Sequence, residues 1–276
     1  MKRALVAGLS ILAFSAGQAF AADIPMKAAR PAPMMAVAPT WTGCYIGGNV
    51  GGGWARDRVT WTGITEAGSA FAAGAATVLP AAANADFNGT GFVGGGQIGC
   101  NYQMNSFVLG VEADAQYTGM RGSRTTVSLG NTNGGPATIV PGNISESFES
   151  NWLATFRGRA GFTTGPVLFY VTGGAAVAGV KFSDSLCFPT AAVPACGTAN
   201  STNSRLGWTV GGGIEWMFAS NWTVKLEYLF VDLGTTSSTM QLTPLAAIAN
   251  PFPNANLTSS HRFTENIGRI GVNYKF

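Results

Sequence analysis

Charge is scarce in this chain. Lys, Arg, Asp and Glu make up 11% of its 276 residues, less than half the roughly 25% of an ordinary soluble domain. Histidine is scarcer still: His261 stands alone, which excludes multi-histidine metal centres and histidine pairs by count. There is no Walker A lysine motif, no nucleophile elbow and no zinc-ligand spacing. A G-x-G-x-x-G match at Gly94, Gly96 and Gly99 runs on into a strand rather than a helix, which dinucleotide binding needs. After Ala21 no apolar run reaches the ~18 residues of a membrane helix. No basic cluster of the kind that nucleic acid requires is present either.

What is present begins with MKRALVAGLSILAFSAGQAFA. Two positive charges, a short apolar run and small residues at Ala19 and Ala21 give the layout of a secretory signal peptide over residues 1–21, cut after Ala21 or Ala22. Without Lys2 and Arg3, the 16 basic residues fall to 14 against 13 acidic ones, a net charge of +1. Residues 22–40 carry Pro25, Pro31, Pro33 and Pro39, which remove backbone donors and fix φ, so this stretch is expected to be an extended periplasmic tether.

From residue 41 to the end, period-two alternation recurs. It predicts eight strands, at 41–55, 90–103, 106–119, 150–163, 166–180, 205–219, 222–234 and 263–276. Three of the connections are short turns (104–106, 164–166 and 220–221). They alternate with long polar stretches at about 56–89, 120–149, 181–204 and 235–262. Alternating short and long connections over an even number of strands is the rhythm of an outer-membrane barrel; a soluble sandwich uses Greek-key connections instead. The expected fold is all-β: an eight-stranded antiparallel transmembrane up-and-down β-barrel over 41–276 with four long external loops.

The two faces of the strands suggest which solvent each meets. One face is apolar: Phe107, Leu109 and Val111; Trp152 and Phe156; Trp208, Ile214 and Trp216; Leu226 and Tyr228; Ile270, Val272 and Tyr274. Aromatics collect toward both strand ends, including Trp54, Phe92, Tyr117, Phe230 and Phe263 at one end and Tyr102, Trp222 and Phe276 at the other, as at a membrane–water boundary. The opposite face holds Glu112, Asp114, Arg157, Arg159, Glu215, Lys225, Glu227 and Arg269. Four are acidic and four basic. Inside a narrow barrel they would form a neutral belt at mid-height, where an unpaired charge would cost several kcal/mol. Glycine, 38 residues in all, suits a crowded interior in which backbones curve and large side chains pass.

The stretches WTGCYIGGNVGGGW, GGQIGCNYQ and the terminal RIGVNYKF resemble alphaproteobacterial outer-membrane proteins of the Omp25/Omp31 type, small porin-family barrels related in architecture to the OmpA membrane domain. The resemblance covers the whole mature barrel. It implies insertion by the outer-membrane assembly machinery, with Phe276 as the C-terminal aromatic signal. For some members it also implies surface-antigen roles, envelope integrity and haem binding.

Four cysteines in an oxidising compartment allow three connectivities. Cys44 and Cys100 are expected near the same rim on neighbouring strands, and Cys187 and Cys196 within the third long loop, so the expected bridges are Cys44–Cys100 and Cys187–Cys196. His261 falls in or beside a long loop and is expected to be solvated. Functionally, the sequence points to a structural barrel that is not an enzyme, has no cofactor and has little or no open pore. Its partners would be outer-membrane lipid and lipopolysaccharide, the assembly machinery, and host or extracellular ligands at the loops. The alternatives are a narrow porin for small solutes, a surface ligand- or haem-binding protein, and a soluble periplasmic sandwich.

Overall fold

The computed structural model describes residues 40–62, 84–131, 139–188, 195–241, 243–244 and 256–276. The expected signal peptide and nearly all of the Pro-rich tether lie outside them.

Eight long strands run β1 (Gly43–Thr62), β2 (Ala85–Met104), β3 (Phe107–Asn131), β4 (Ile139–Thr164), β5 (Val167–Phe188), β6 (Ala195–Ala219), β7 (Trp222–Gln241) and β8 (Asn256–Lys275). A two-residue bridge at Thr243–Pro244 pairs with the tip of β6. Each strand pairs antiparallel with its sequence neighbours, β1 pairs with β8, and the sheet closes on itself with no free edge at mid-height. Closure satisfies the backbone internally, which is what a strand needs to cross lipid. The eight-stranded antiparallel barrel agrees with the sequence reading.

The short turns are tight for local reasons. Asn105 takes a φ of 55° and Gly165 one of 59°, the left-handed region that Asn and Gly enter most readily. At the end carrying these turns, the outward face is apolar: Ile46, Val50, Ile98, Leu109, Val111, Phe156, Val171, Leu226 and Ile270 are all exposed. The band is bounded above by Trp54, Phe92, Tyr117, Trp152 and Trp208. Trp152 lies against Gly179 on β5, where an added Cβ would meet the indole Nε1 at 2.2 Å; glycine there gives the ring its seat.

The strands do not stop at this girdle, and here the sequence reading needs correcting. Much of the expected long loops is strand: β1 continues to Thr62, β2 starts at Ala85, β3 continues to Asn131 and β4 starts at Ile139. Likewise β5 reaches Phe188, β6 starts at Ala195, β7 reaches Gln241 and β8 starts at Asn256. Twenty residues of tilted strand rise roughly 50 Å, about twice the ~25 Å apolar band of an outer-membrane barrel.

Beyond the girdle the two faces exchange character. The interior becomes an apolar core of Val59, Trp61, Phe87, Phe148, Phe182, Met240, Leu257 and Phe263 among others. The outside becomes Arg56, Arg58, Arg121, Ser123, Lys181, Ser237, Thr239 and Arg262. Phe263, expected in the aromatic girdle, is buried inside the barrel. In β4 and β7 the inward parity also slips by one. A bulge between Ser150 and Trp152 moves the inward positions from odd to even numbers in β4. A second, between Asp232 and Thr235, does so in β7. There Gly234 adopts a φ of 72° and donates its N–H to the Asp232 carboxylate at 2.8 Å.

Candidate functional site

The inward positions of the membrane band hold the charged belt. Its members come from β3 (Glu112, Asp114), β4 (Arg157, Arg159), β6 (Glu215), β7 (Lys225, Glu227) and β8 (Arg269), all buried. Arg157 lies at the centre. It donates to Asp114 at 2.7 Å and to Glu227 at 3.1 Å, and it also pairs with Glu112. Lys225 donates to both Glu112 oxygens, at 2.8 and 2.9 Å. Arg269 donates its Nε to Glu227 at 2.7 Å and reaches Asp114 at 3.2 Å. Arg159 donates to Glu215 at 2.6 Å and lies 4.0 Å from the centroid of the Tyr170 ring.

Each charge therefore has an opposite partner, and three of the pairs, Arg157–Glu227, Lys225–Glu112 and Arg269–Asp114, join walls on opposite sides of the barrel. That geometry offsets the several kcal/mol per ion that removal from water costs. Neutral partners extend the network: Tyr45 donates to Glu112 at 2.5 Å, Tyr170 to Glu227 at 3.0 Å, Thr223 to Glu215 at 2.6 Å and Asn273 to Glu215 at 2.9 Å. Gln97 links Asn273 to Asn49, at 2.6 and 3.0 Å. The sequence reading named the eight charges and missed these polar partners. The signal was present, because Tyr45, Asn49, Gln97 and Asn273 share the inward parity of their strands.

A second polar cluster lies beyond the girdle. His261 is not a solvated loop residue. It is a β8 residue, 1% exposed, with Nδ1 2.8 Å from Asp57 on β1 and Nε2 2.8 Å from Asp184 on β5. Its ring stacks on Phe182 at 4.6 Å, and Ser259 also donates to Asp184, at 2.7 Å. Burial alone would lower the imidazole pKa, but the hydrogen bonds that the ring donates to the two carboxylates outweigh it and raise the pKa to about 9. The ring is therefore an imidazolium at neutral pH, tying β1 and β8 to β5 across the lumen. Nearby, Glu146 accepts from Trp61 Nε1 at 2.7 Å and from Arg124 Nε at 2.8 Å.

The cysteines pair as Cys44–Cys100 and Cys187–Cys196. The first joins β1 to β2 near the short-turn rim; the second joins the tips of β5 and β6. Phe276 is exposed at that same rim, and its N–H donates to the Cys44 carbonyl at 3.0 Å. Among the described residues, no group of three or more His, Cys, Asp and Glu has metal-binding geometry.

A lipid-facing band, a charged interior and a closed ring match a known family. The profile described as "Outer membrane protein beta-barrel domain" covers residues 7–276. The chain belongs to this family. Among relatives of this outer-membrane barrel, the 31 kDa outer-membrane immunogenic protein of Brucella melitensis is 33% identical over 280 residues, spanning the whole of both chains. The 25 kDa outer-membrane immunogenic protein of the same organism is 25% identical, covering 100% of this chain and 99% of that one. The 22 kDa outer membrane protein of Rhizobium leguminosarum bv. viciae is 30% identical over 140 residues, about half of each chain. The Omp25/Omp31 resemblance seen in the sequence thus holds over the full length, and this family member is an outer-membrane protein.

Proposed function

We propose that this protein is a closed structural barrel of a Gram-negative outer membrane, exported by a signal peptide that is then removed. Its short turns face the periplasm, and its extended strands stand above the outer surface and carry the loops. It holds its place in the membrane and displays surface to the outside; it does no chemistry on a substrate. Phe276 is its assembly signal, and lipid, lipopolysaccharide and the assembly machinery are its partners.

One observation carries the reading: the lumen is crossed twice by interlocked side chains. At membrane height Arg157 binds Glu227, Lys225 binds Glu112 and Arg269 binds Asp114, each from a facing wall. Further out His261 clamps Asp57 and Asp184 within an apolar core. Small barrels generally fill their interiors with side chains, and here the filling is fixed by charge pairing. Against the alternative of a haem-binding protein, His261 has both ring nitrogens engaged and offers none to an iron.

Planar-bilayer recording tests the reading against a narrow porin. The reconstituted protein is expected to give no steady channel, and a stable single-channel conductance would refute closure.

A further inference from the structure

The outer wall just beyond the aromatic girdle carries a feature that membrane anchoring alone does not require. A groove of about 460 Å³ crosses β3, β4 and β5, lined in part by Arg121, Ser123, Ser147, Glu149, Lys181 and Ser183. Two register rows build it. Arg121, Glu149 and Lys181 lie directly across from one another, and Ser123, Ser147 and Ser183 form the next row outward. Below it Trp152 rests on Gly179, two residues before Lys181, and Tyr117 rests on Gly119, two before Arg121. The groove therefore continues directly from the lipid-facing band.

We propose that this groove docks the anionic sugar headgroup of lipopolysaccharide from the surrounding leaflet. The proposal rests on the reading above, in which these strands rise out of the membrane. Charge favours it. Glu149 is the one carboxylate between two cations: Arg121 stands 3.8 Å from it, with the Arg121 side chain exposed and that of Glu149 partly so. Lys181 makes no ion pair of 4.0 Å or less among the described residues. The other cations at this level are held more closely, Arg56 and Arg58 both by Asp86, at 3.1 Å from Arg58, and Arg262 by Asp232 at 3.0 Å. One positive charge is thus left uncompensated in a concave site at headgroup height, where anionic lipid groups attract Lys and Arg. Above it the serine row supplies hydroxyls, which both donate and accept and so match the hydroxyls of a sugar. The order of apolar band, aromatic girdle, cations and hydroxyls follows the order of acyl chain, boundary, charged glucosamine and core sugar.

The test uses the full-length barrel in detergent micelles, titrated with fluorescent rough lipopolysaccharide, with phosphatidylglycerol and inorganic phosphate as competitors. The double variant Arg121→Gln/Lys181→Gln is expected to bind about thirty-fold more weakly, which is roughly 1 kcal/mol for each lost cation. Glu149→Gln is expected to bind several-fold more tightly, because it removes the competing carboxylate; a merely structural role for Glu149 would not give that gain. Unchanged binding in the double variant, no gain in Glu149→Gln, or equal displacement by phosphatidylglycerol would each overturn the proposal. Should the double variant fail to fold on heat-modifiability gels, Glu149→Gln alone decides. A Thr239→Cys variant, on the outer wall away from the groove, separates the two readings. If a water-soluble thiol reagent leaves it unlabelled in intact cells, the reading that the strands protrude fails. If it is labelled while binding ignores the groove substitutions, only the docking site fails.

Discussion

At the scale of single residues, the interior depends on pairing rather than on hydrophobicity alone. Arg157 is the sharpest case, because it faces Glu112, Asp114 and Glu227 at once. Arg157→Leu removes the central cation and leaves three buried carboxylates to share Lys225, Arg269 and the more distant Arg159, 3.7 Å from Glu112. The expected loss is about 3–5 kcal/mol of stability, the usual result of breaking a buried pair by deleting one partner, read as a lower urea midpoint in lipid vesicles. His261 gives a different signature. Its folded pKa, about 9, lies above the unfolded value of about 6.5. Its contribution is therefore fully present below about pH 6.5 and is lost as pH rises through about 9. Thermal unfolding from pH 6 to pH 10 should show stability falling by roughly 3 kcal/mol over that window. His261→Gln should flatten the slope; an unchanged slope would show that the clamp is not its source.

At the scale of strands, legibility in the sequence followed the solvent. In the membrane half, apolar residues point out and polar ones in with a strict period of two, so strand identity, the short turns and the eight inward charges could all be read directly. Beyond the girdle three things change together. The apolar residues move inside, the outer positions become Ser, Thr and Arg, and in β4 and β7 a bulge slips the parity. A search for one continuous apolar face loses the pattern there and takes Ser237, Ser238 and Thr239, or Ser145 and Ser147, for loop. The His261 clamp was out of reach for a related reason: its partners Asp57 and Asp184 lie 204 and 77 residues away in sequence, and only closure of the barrel brings them together. The bulge at Asn151 makes the point testable. Deleting Asn151 removes the extra residue, so outward Trp152 is followed directly by inward Ser150, and Phe148 and Ile144 should keep their inward places on an unbroken alternation. Both halves should still form, and the protruding half should stay resistant to external protease. Protease sensitivity there would mean that the extra residue itself, rather than the alternation on either side of it, sets the facing of the upper strand.

At the scale of the whole molecule, the barrel is two solvents' answers to one sheet. Within the bilayer, it is greasy outside and ionic inside; above it, apolar inside and hydroxyl-rich outside, like a soluble protein. Each strand runs on from one regime into the other, with bulges in β4 and β7 and with the β6–β7 ladder ending at Trp208–Asp232, so the strands are about twice as long as the membrane needs. β8 shows both regimes on one outward face, with Ile270 in the apolar band and Ser260 beyond the girdle. The most direct measurement is single-cysteine labelling of intact cells along that face, using a water-soluble thiol reagent. Ser260→Cys should label readily and Ile270→Cys should not; labelling of Ile270→Cys, or protection of Ser260→Cys, would contradict the account.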